Sequence, residues 1–268
     1  MAEPEVLVLR AAGTNCNEET AYAFELAGAK TRQIHVNRLK ENSKILDDFG
    51  AVVIPGGFSY GDDIAAGSVL ALELDHALGD SLRRLLSRGG LVLGICNGFQ
   101  VLMRSGLLPG PEASGASLSA SLIDNESHRY IDRWVNLRSE HDHSHFLRAG
   151  LDLELPVAHA EGRFVVASDQ DVKALEAGRR VALRYLGQKA GEAAGFPANP
   201  NGSLNDIAGL SDASGQVLGL MPHPERFLFD WQHPQWTRRA SDAKTASSKN
   251  AQGEGFQIFE NAVRYLAS

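Results

Sequence analysis

The sequence has few cysteines, no excess of positive charge and no long apolar run, and each absence excludes a class of protein. Two cysteines in 268 residues, Cys16 and Cys96, are too few for the disulfide framework of a secreted scaffold. The net charge is −7 and no basic cluster is present, so nucleic acid is not expected as a partner. No apolar run approaches the ~20 residues that span a bilayer, and residues 1–8 lack a secretory leader. We therefore expect a cytoplasmic protein with reduced thiols and no membrane partner.

Two nucleotide-binding motifs are also missing. The chain contains neither a loop ending in Gly-Lys-Ser/Thr nor Gly-x-Gly-x-x-Gly, so ATP or NAD bound by this chain is not expected. A glycine-rich loop is nevertheless present at residues 56–63, directly after an apolar run. That is where open α/β sheets bind their ligands, and such a loop can present a backbone N–H to a reacting group. An ordinary turn is the alternative interpretation.

Short apolar runs that alternate with helical patterns predict an α/β fold. The first four runs are residues 5–10, 30–36, 51–54 and 91–95. Helical periodicity lies between them, most clearly at residues 75–88, and this order predicts a parallel sheet with helices on both faces. Residues 121–186 show one strand pattern after another without helices, which predicts an antiparallel or mixed extension of the sheet. Ordinary composition without a linker predicts one domain, 1–268.

Three further segments have their own predictions. Residues 112–120 are rich in Ala, Ser and Gly and are expected to form a surface loop. Residues 236–255 are polar and are expected to form a mobile excursion. Residues 256–266 have helical spacing, and we expect them to pack against the sheet as the last helix.

The candidate nucleophile is Cys96. An apolar strand leads into Gly94-Ile95-Cys96-Asn97-Gly98, and a helical pattern begins at Phe99. Gly-x-Cys-x-Gly between a strand and a helix is the nucleophile-elbow pattern, because residues without a Cβ let the two elements approach across a sharp turn. The helix N-terminus also favours a thiolate. A buried structural cysteine is the alternative, and the flanking glycines favour catalysis.

A candidate base and its orienting residue follow the last apolar strand. Residues 217–220 lead into Met221-Pro222-His223-Pro224-Glu225-Arg226. Proline biases the residue before it toward extended backbone, so His223 and Glu225, two residues apart, are expected to point the same way. Glu225 can then accept from one ring nitrogen while the other faces a thiol. A strand end with a surface salt bridge between Glu225 and Arg226 is the alternative.

Two weaker candidates have specific arguments against them. Residues 141–145, His-Asp-His-Ser-His, have ligand types suited to a metal, but no further ligands cluster nearby in the sequence. Solvated loop histidines are the preferred interpretation. Cys16 also lies near a helix start, but it lacks the flanking glycine pair and is the weaker nucleophile candidate.

Six stretches together resemble class I glutamine amidotransferases, and within that class the glutaminase subunits of phosphoribosylformylglycinamidine synthases. They are residues 13–16 (Gly-Thr-Asn-Cys), 55–62 (Pro-Gly-Gly-Phe-Ser-Tyr-Gly-Asp), 94–100 (Gly-Ile-Cys-Asn-Gly-Phe-Gln), 158–164 (Ala-His-Ala-Glu-Gly-Arg-Phe), 199–203 (Asn-Pro-Asn-Gly-Ser) and 221–226 (Met-Pro-His-Pro-Glu-Arg). The elbow and His-Pro-Glu mark the class, and the second, fourth and fifth stretches mark the narrower family. The first loop departs from the family by reading Ala-Ala-Gly instead of Pro-Gly, and the polar segment before the last helix is long.

The resemblance implies a flavodoxin-like, mostly parallel sheet and a catalytic triad. Cys96 would be the nucleophile, His223 the base and later the proton donor, and Glu225 the orienting residue. Gly57 and Asn97 would supply oxyanion N–H groups, and Gln100 would contact the substrate. No metal is implied in this chain.

The resemblance also implies an activity and partners. The chain would hydrolyse glutamine to glutamate and ammonia, and the ammonia would pass to a synthetase (large) subunit. That subunit would use ATP and Mg to convert formylglycinamide ribonucleotide to formylglycinamidine ribonucleotide in purine biosynthesis, so no cofactor is expected here. A small bridging subunit would complete the complex, and docking is expected to switch the glutaminase on.

Two other functions remain open from the residues. Hydrolases or stress proteins with the same sheet architecture share the cysteine elbow and act on peptides, esters or oxidised metabolites. His-Pro-Glu counts against them, and selectivity for glutamine would decide. A non-enzymatic glutamine-sensing module would bind glutamine without turnover.

Overall fold

The computed structural model describes residues 3–62, 64–110, 119–187, 193–242 and 252–268. Its strands are β1 Glu5–Arg10, β2 Lys30–His35, β3 Ala51–Ile54, β4 Leu91–Ile95, β5 Ala120–Ile123, β6 Ile131–Ser139, β7 Asp152–His159, β8 Arg163–Val166, β9 Val181–Tyr185, β10 Ile207–Ser211 and β11 Val217–Leu220. Its α-helices are α1 Asn17–Leu26, α2 Val36–Glu41, α3 Ser68–Ser87, α4 Asn97–Arg104, α5 Asp169–Ala177, α6 Gly195–Ala198, α7 Trp236–Asp242 and α8 Phe256–Leu266.

One large sheet has a parallel half and an antiparallel half. Its strand order is β2-β1-β3-β4-β11-β10-β9-β6-β7, and β5 pairs separately with β8. Every pairing from β2 to β11 is parallel, and every pairing from β11 to β7 is antiparallel. The predicted α/β fold with a mixed extension is therefore confirmed.

Both faces of the parallel half are covered. All residues of β3 and β4 are buried, and successive side chains of a strand point to opposite faces, so neither face is open to solvent. On the helical layers, α1 packs with α8, and α3 packs with α4. The apolar stripe of α8 includes Phe256, Phe259 and Ala262, as the helical spacing predicted.

The edge strand of the antiparallel half, β7, contacts the carboxyl end of the parallel half. β7 stands four places from β11 in the sheet order. Nevertheless, the Pro156 carbonyl of β7 accepts the N–H of His223, just beyond β11, at 2.8 Å. This return brings the edge strand to the carboxyl ends of β4 and β11.

Several predicted boundaries were wrong. The helix predicted at 75–88 begins at Ser68, because Leu70 and Leu74 continue its buried stripe toward the N-terminus. The strand predicted to Val36 ends at His35, because α2 starts at Val36. The region 121–186 was predicted to lack helices, yet it contains α5, which the Ser168 side chain caps and which buries only Leu175. A helix with one buried residue has too weak a hydrophobic periodicity to be predicted from the sequence.

Two predicted loops are only partly described. Most of the surface loop predicted at 112–120 lies outside the described residues, and Ala120 already belongs to β5. The mobile excursion predicted at 236–255 begins instead with α7, and its residues 243–251 lie outside the described part. None of the helices that the structure describes combines the length and apolar character needed to cross a bilayer.

Candidate active site

Cys96 occupies a strained turn between β4 and α4. Its backbone has φ 51° and ψ −104°, and its N–H donates to the Leu220 carbonyl at 2.8 Å. A non-glycine residue in this region costs ~1–3 kcal/mol, which is characteristic of functional turns. The turn is closed by Gly98, because a Cβ there would lie 1.9 Å from the Ile54 carbonyl oxygen of β3. Cys96 is 5% exposed, so the turn buries the nucleophile candidate.

His223 and Glu225 form a buried hydrogen-bonded pair. Nδ1 of His223 lies 2.6 Å from Oε1 of Glu225, and both side chains are buried. The two side chains meet as expected, although Glu225 lies in a 3-10 turn, Pro224–Arg226, and not in an extended segment. The alternative, a surface salt bridge between Glu225 and Arg226, is not formed. Nε of Arg226 instead pairs with Glu19 at 3.9 Å.

The electrostatics of this pair favour a protonated imidazole. Burial lowers the pKa of His223, but the Glu225 carboxylate and then Cys96 outweigh it, so the pKa is raised well above 6.5. An imidazolium beside Cys96 stabilises a thiolate on that residue. The pair therefore supplies both the charge that activates a nucleophile and a proton for a leaving group.

The glycine-rich loop lies against the first loop of the chain. Gly57 pairs with Thr14 in an isolated bridge and has φ +144°, a conformation that favours glycine. At Gly56 a Cβ would lie 2.7 Å from Cε1 of His223, so only glycine lets the loop approach the histidine. Within the described chain, the N–H groups of Gly57 and Asn97 donate to no protein acceptor. Both remain available to a ligand.

The Asn97 side chain ties this loop to the nucleophile helix. Its Oδ1 accepts the Ser59 N–H at 3.2 Å, and its Nδ2 donates to Gln100 Oε1 at 2.9 Å. Nε2 of Gln100 in turn donates to the Glu161 carbonyl at 2.6 Å. Both the oxygen and the nitrogen of the Gln100 amide are thus hydrogen-bonded to protein groups. Its predicted substrate contact stays a prediction.

Asp62 and Glu161 lie at the outer side of this network. Asp62 Oδ1 accepts from Asn97 Nδ2 at 3.3 Å. Burial and then the charge of Glu161 raise the pKa of Asp62 to about 6. The loop that follows Gly57 is therefore joined to the site by a carboxyl group whose pKa is about 6.

Cys16 lies beside the catalytic pair, which the sequence patterns did not indicate. Its Sγ is 3.2 Å from Nη2 of Arg226 and 3.1 Å from Oδ1 of Asn15. The ligand atoms of Cys16, His223 and Glu225 all lie within 4.8 Å of one another, a grouping of metal-ligand types. The Arg226 guanidinium already provides positive charge at the sulfur, which disfavours a cation there.

The histidines of residues 141–145 are used mainly in packing. His145 stacks on Tyr265 with ring centroids 3.8 Å apart, and Nε2 of His143 lies 3.3 Å from the Asp212 carbonyl. Both rings are partly buried, so the prediction of solvated loop histidines was wrong for these two. Among the described residues they form no metal-ligand group.

β7 forms a wall of the site that sequence patterns missed. The Ala158 carbonyl lies 3.7 Å from Cys96 Sγ, two residues beyond the Pro156 carbonyl that holds His223. Successive carbonyls on one side of a strand recur every second residue, so a single strand contacts both reacting groups. The available signal was the run Ala158 to Phe164, which the resemblance to amidotransferases singled out.

A cysteine on a strand-to-helix turn, served by a buried histidine and glutamate from the neighbouring parallel strand, defines an α/β enzyme of the Cys-His-Glu amidotransferase class. The family comparison agrees: the chain belongs to the CobB/CobQ-like glutamine amidotransferase domain family, whose model matches residues 3–266.

Individual relatives span the whole chain. The phosphoribosylformylglycinamidine synthase subunit PurQ of Dehalococcoides mccartyi is 41% identical over 266 residues, covering 99% of this chain and 98% of that protein. The PurQ subunit of Methanococcus maripaludis is 38% identical over 267 residues, covering 98% and 97%. Among solved structures, PurLQS from Thermotoga maritima matches with a TM-score of 0.71 and 29% identity, covering 99% of this chain and all of that one.

Proposed function

We propose that this chain is the glutaminase subunit of a phosphoribosylformylglycinamidine synthase. It hydrolyses glutamine to glutamate and ammonia and supplies the ammonia to a synthetase subunit that converts formylglycinamide ribonucleotide to formylglycinamidine ribonucleotide. The observation that carries the chemistry is the buried His223–Glu225 pair beside the strained Cys96. The full-length similarity to PurQ subunits supports the acceptor and the pathway.

The reaction begins with the Cys96 thiolate, which attacks the side-chain carbonyl of glutamine. Protonated His223 then gives its proton to the nitrogen as the carbon–nitrogen bond breaks, releasing ammonia and leaving a glutamyl thioester. Neutral His223 next takes a proton from water, which attacks the thioester and frees glutamate. Glu225 holds the imidazole through Nδ1 in both steps.

The oxyanion of each tetrahedral intermediate needs donors that are free beforehand. The N–H groups of Gly57 and Asn97 meet that condition, and we assign them this role. Removing one such donor typically lowers the rate about 100-fold or more, so a shift of the Gly57 loop controls activity. Partner docking that sets this loop would switch the glutaminase on.

The remaining assignments concern the rest of the complex. The chain acts as one domain, 1–268, in the cytoplasm and needs no metal or cofactor for amide hydrolysis, because Cys96 and His223 supply nucleophile and proton. ATP and Mg belong to the partner synthetase subunit. A small bridging subunit completes the assembly, a composition supported by the similarity to the PurLQS structure.

The test is labelling by an electrophilic glutamine analogue, with the adduct located by peptide mass spectrometry. We expect one adduct, on Cys96, that excess glutamine suppresses. Cys96→Ala should lower glutamine hydrolysis by at least about a thousandfold, because it removes the nucleophile. Cys16→Ser is the matched control, since it changes the other buried thiol, and it should still be labelled at Cys96. An adduct on Cys16, or labelling that glutamine does not suppress, would refute the assignment.

A further inference from the structure

His159 is a buried histidine that the proposed mechanism does not use, and it lies near enough to His223 to be affected by its charge. It ends β7, one residue after the carbonyl that lies 3.7 Å from Cys96 Sγ. Its side chain is 3% exposed. A histidine held inside the wall of an active site has a defined tautomer, which its neighbours decide.

The Asn125 amide sets that tautomer. Its Nδ2 donates to two carbonyl oxygens, those of Arg129 and His159, both at 2.9 Å. Its Oδ1 therefore faces the other way, where it accepts the Gly162 N–H at 3.0 Å and lies 3.1 Å from Nδ1 of His159. An amide oxygen only accepts, so Nδ1 of His159 carries the proton. Nε2 is therefore unprotonated and carries a lone pair that can accept a hydrogen bond.

That lone pair has no protein partner. Nε2 of His159 is buried, and none of the residues that the structure describes donates a hydrogen bond to it. Gly162 lies directly over the ring, because a Cβ there would be 2.5 Å from both Cε1 and Nδ1. The ring is thus held in place with its acceptor unused. A buried acceptor without a donor costs free energy, and a small ligand with N–H or O–H groups would remove that cost.

His159 also stays neutral. Burial and then the nearby charge of His223 lower the pKa of His159 to about 3. At the pH of a cell the ring therefore accepts hydrogen bonds but gives no proton to a base. Ammonia needs such a neighbour, since it must remain uncharged to act as a nucleophile on a second substrate.

We propose that Nε2 of His159 accepts a hydrogen bond from the ammonia released at Cys96 and directs it toward the synthetase subunit. The inference rests on the proposed function. The proton that completes ammonia comes from His223, the carbon–nitrogen bond is already broken, and His159 forms no covalent bond. His159 is therefore a product-binding residue, distinct from the triad.

The test uses two variants in the reconstituted complex with the synthetase and small subunits. His159→Asn keeps a donor near the position of Nδ1, so it retains the Asn125 contact and loses the acceptor. His159→Gln places an amide oxygen near the position of Nε2. The measured quantity is formylglycinamidine ribonucleotide formed per glutamate released.

We expect a ratio near one in the wild type and in His159→Gln. In His159→Asn it should fall by at least about twofold, the change expected from losing one neutral hydrogen bond, and free ammonia should appear. Synthesis driven by added ammonium chloride should be equal in all three proteins, which checks folding and docking. An unchanged ratio in His159→Asn, or an equal fall in His159→Gln, would overturn the inference. Loss of glutamine hydrolysis in the wild-type complex would instead refute the proposed function.

A second measurement needs no variant. ¹⁵N NMR of the subunit, made with ¹⁵N-labelled histidine, should show a protonated Nδ1 and an unprotonated Nε2 for His159 at neutral pH. A proton on Nε2 would contradict the assigned acceptor.

Discussion

At Gly98 a single hydrogen atom in place of a side chain decides whether the nucleophile turn can close. The Ile54 carbonyl of β3 would lie 1.9 Å from a Cβ at this position, and a backbone atom within a central strand cannot move away cheaply. Gly79, in the middle of α3, has no neighbour closer than 3.5 Å to a Cβ. The same residue type is therefore required at one helical position and dispensable at the other.

Gly98→Ala and Gly79→Ala should consequently change stability in opposite directions. We expect Gly98→Ala to lower the free energy of unfolding by ~3 kcal/mol and to abolish glutamine hydrolysis, because the clash displaces Cys96. Gly79→Ala should raise it by ~0.5–1 kcal/mol, because alanine loses less backbone entropy in a helix. Urea unfolding and glutaminase assays would measure both. Equal stability of the two variants would show that the Ile54 contact does not constrain the turn.

The triad shows what local patterns could predict at this scale. The roles of Cys96 and His223 could be predicted from the sequence. Each lies in a short pattern, flanked by glycines or by prolines, that constrains only a few neighbouring backbone dihedrals. The turn that carries Glu225 was not readable, since a 3-10 turn and an extended segment are both compatible with Pro-Glu. The same pair of side chains meets in either case, so the functional prediction did not depend on that detail.

Among the elements, α3 and α5 show why one helix was found and another missed. α3 buries seven side chains over twenty residues, and that stripe is visible in the sequence even though its start was misplaced. α5 buries only Leu175, so its formation depends on local capping. The Ser168 side chain accepts the N–H of Asp171 at 3.3 Å and satisfies one of the free donors of the first turn.

Ser168→Ala should therefore destabilise the protein by ~1 kcal/mol through loss of this cap, without changing glutamine hydrolysis. Ser87→Ala is the matched control, because Ser87 is also an exposed serine at a helix end and only donates to the Arg84 carbonyl. Its effect should be below about 0.5 kcal/mol. Chemical denaturation of both variants would measure the difference. Equal effects would mean that the cap does not hold α5.

One of the buried histidines, His159, makes the stability of the whole molecule depend on pH. The pKa of His159 is about 3 in the folded protein and ~6.5 in an unfolded chain. The folded state thus binds fewer protons between these values. The stability present above about pH 6.5 is lost as the pH falls toward 3, at up to ~1.4 kcal/mol per pH unit.

His159→Asn removes this titration and should make the unfolding free energy less sensitive to acid. Between pH 6.5 and 5 the wild type should lose up to ~2 kcal/mol more than the variant. His76→Gln replaces an exposed histidine of α3 and should follow the wild-type curve. Unfolding curves at several pH values would measure the difference. Parallel curves for wild type and His159→Asn would show that His159 is protonated as easily in the folded state as in the unfolded chain.

By itself, the sequence determined the alternation of strands and helices, the parallel half of the sheet and the two motifs that hold Cys96 and His223. These features depend on side-chain periodicity and on steric rules that act within a few residues. Only the tertiary structure decided that β7 returns from the far edge of the sheet to contact both motifs, and that His159 and Cys16 lie beside them. The physical reason is that sheet curvature and loop return are set by packing between residues far apart in the chain, which no local pattern encodes.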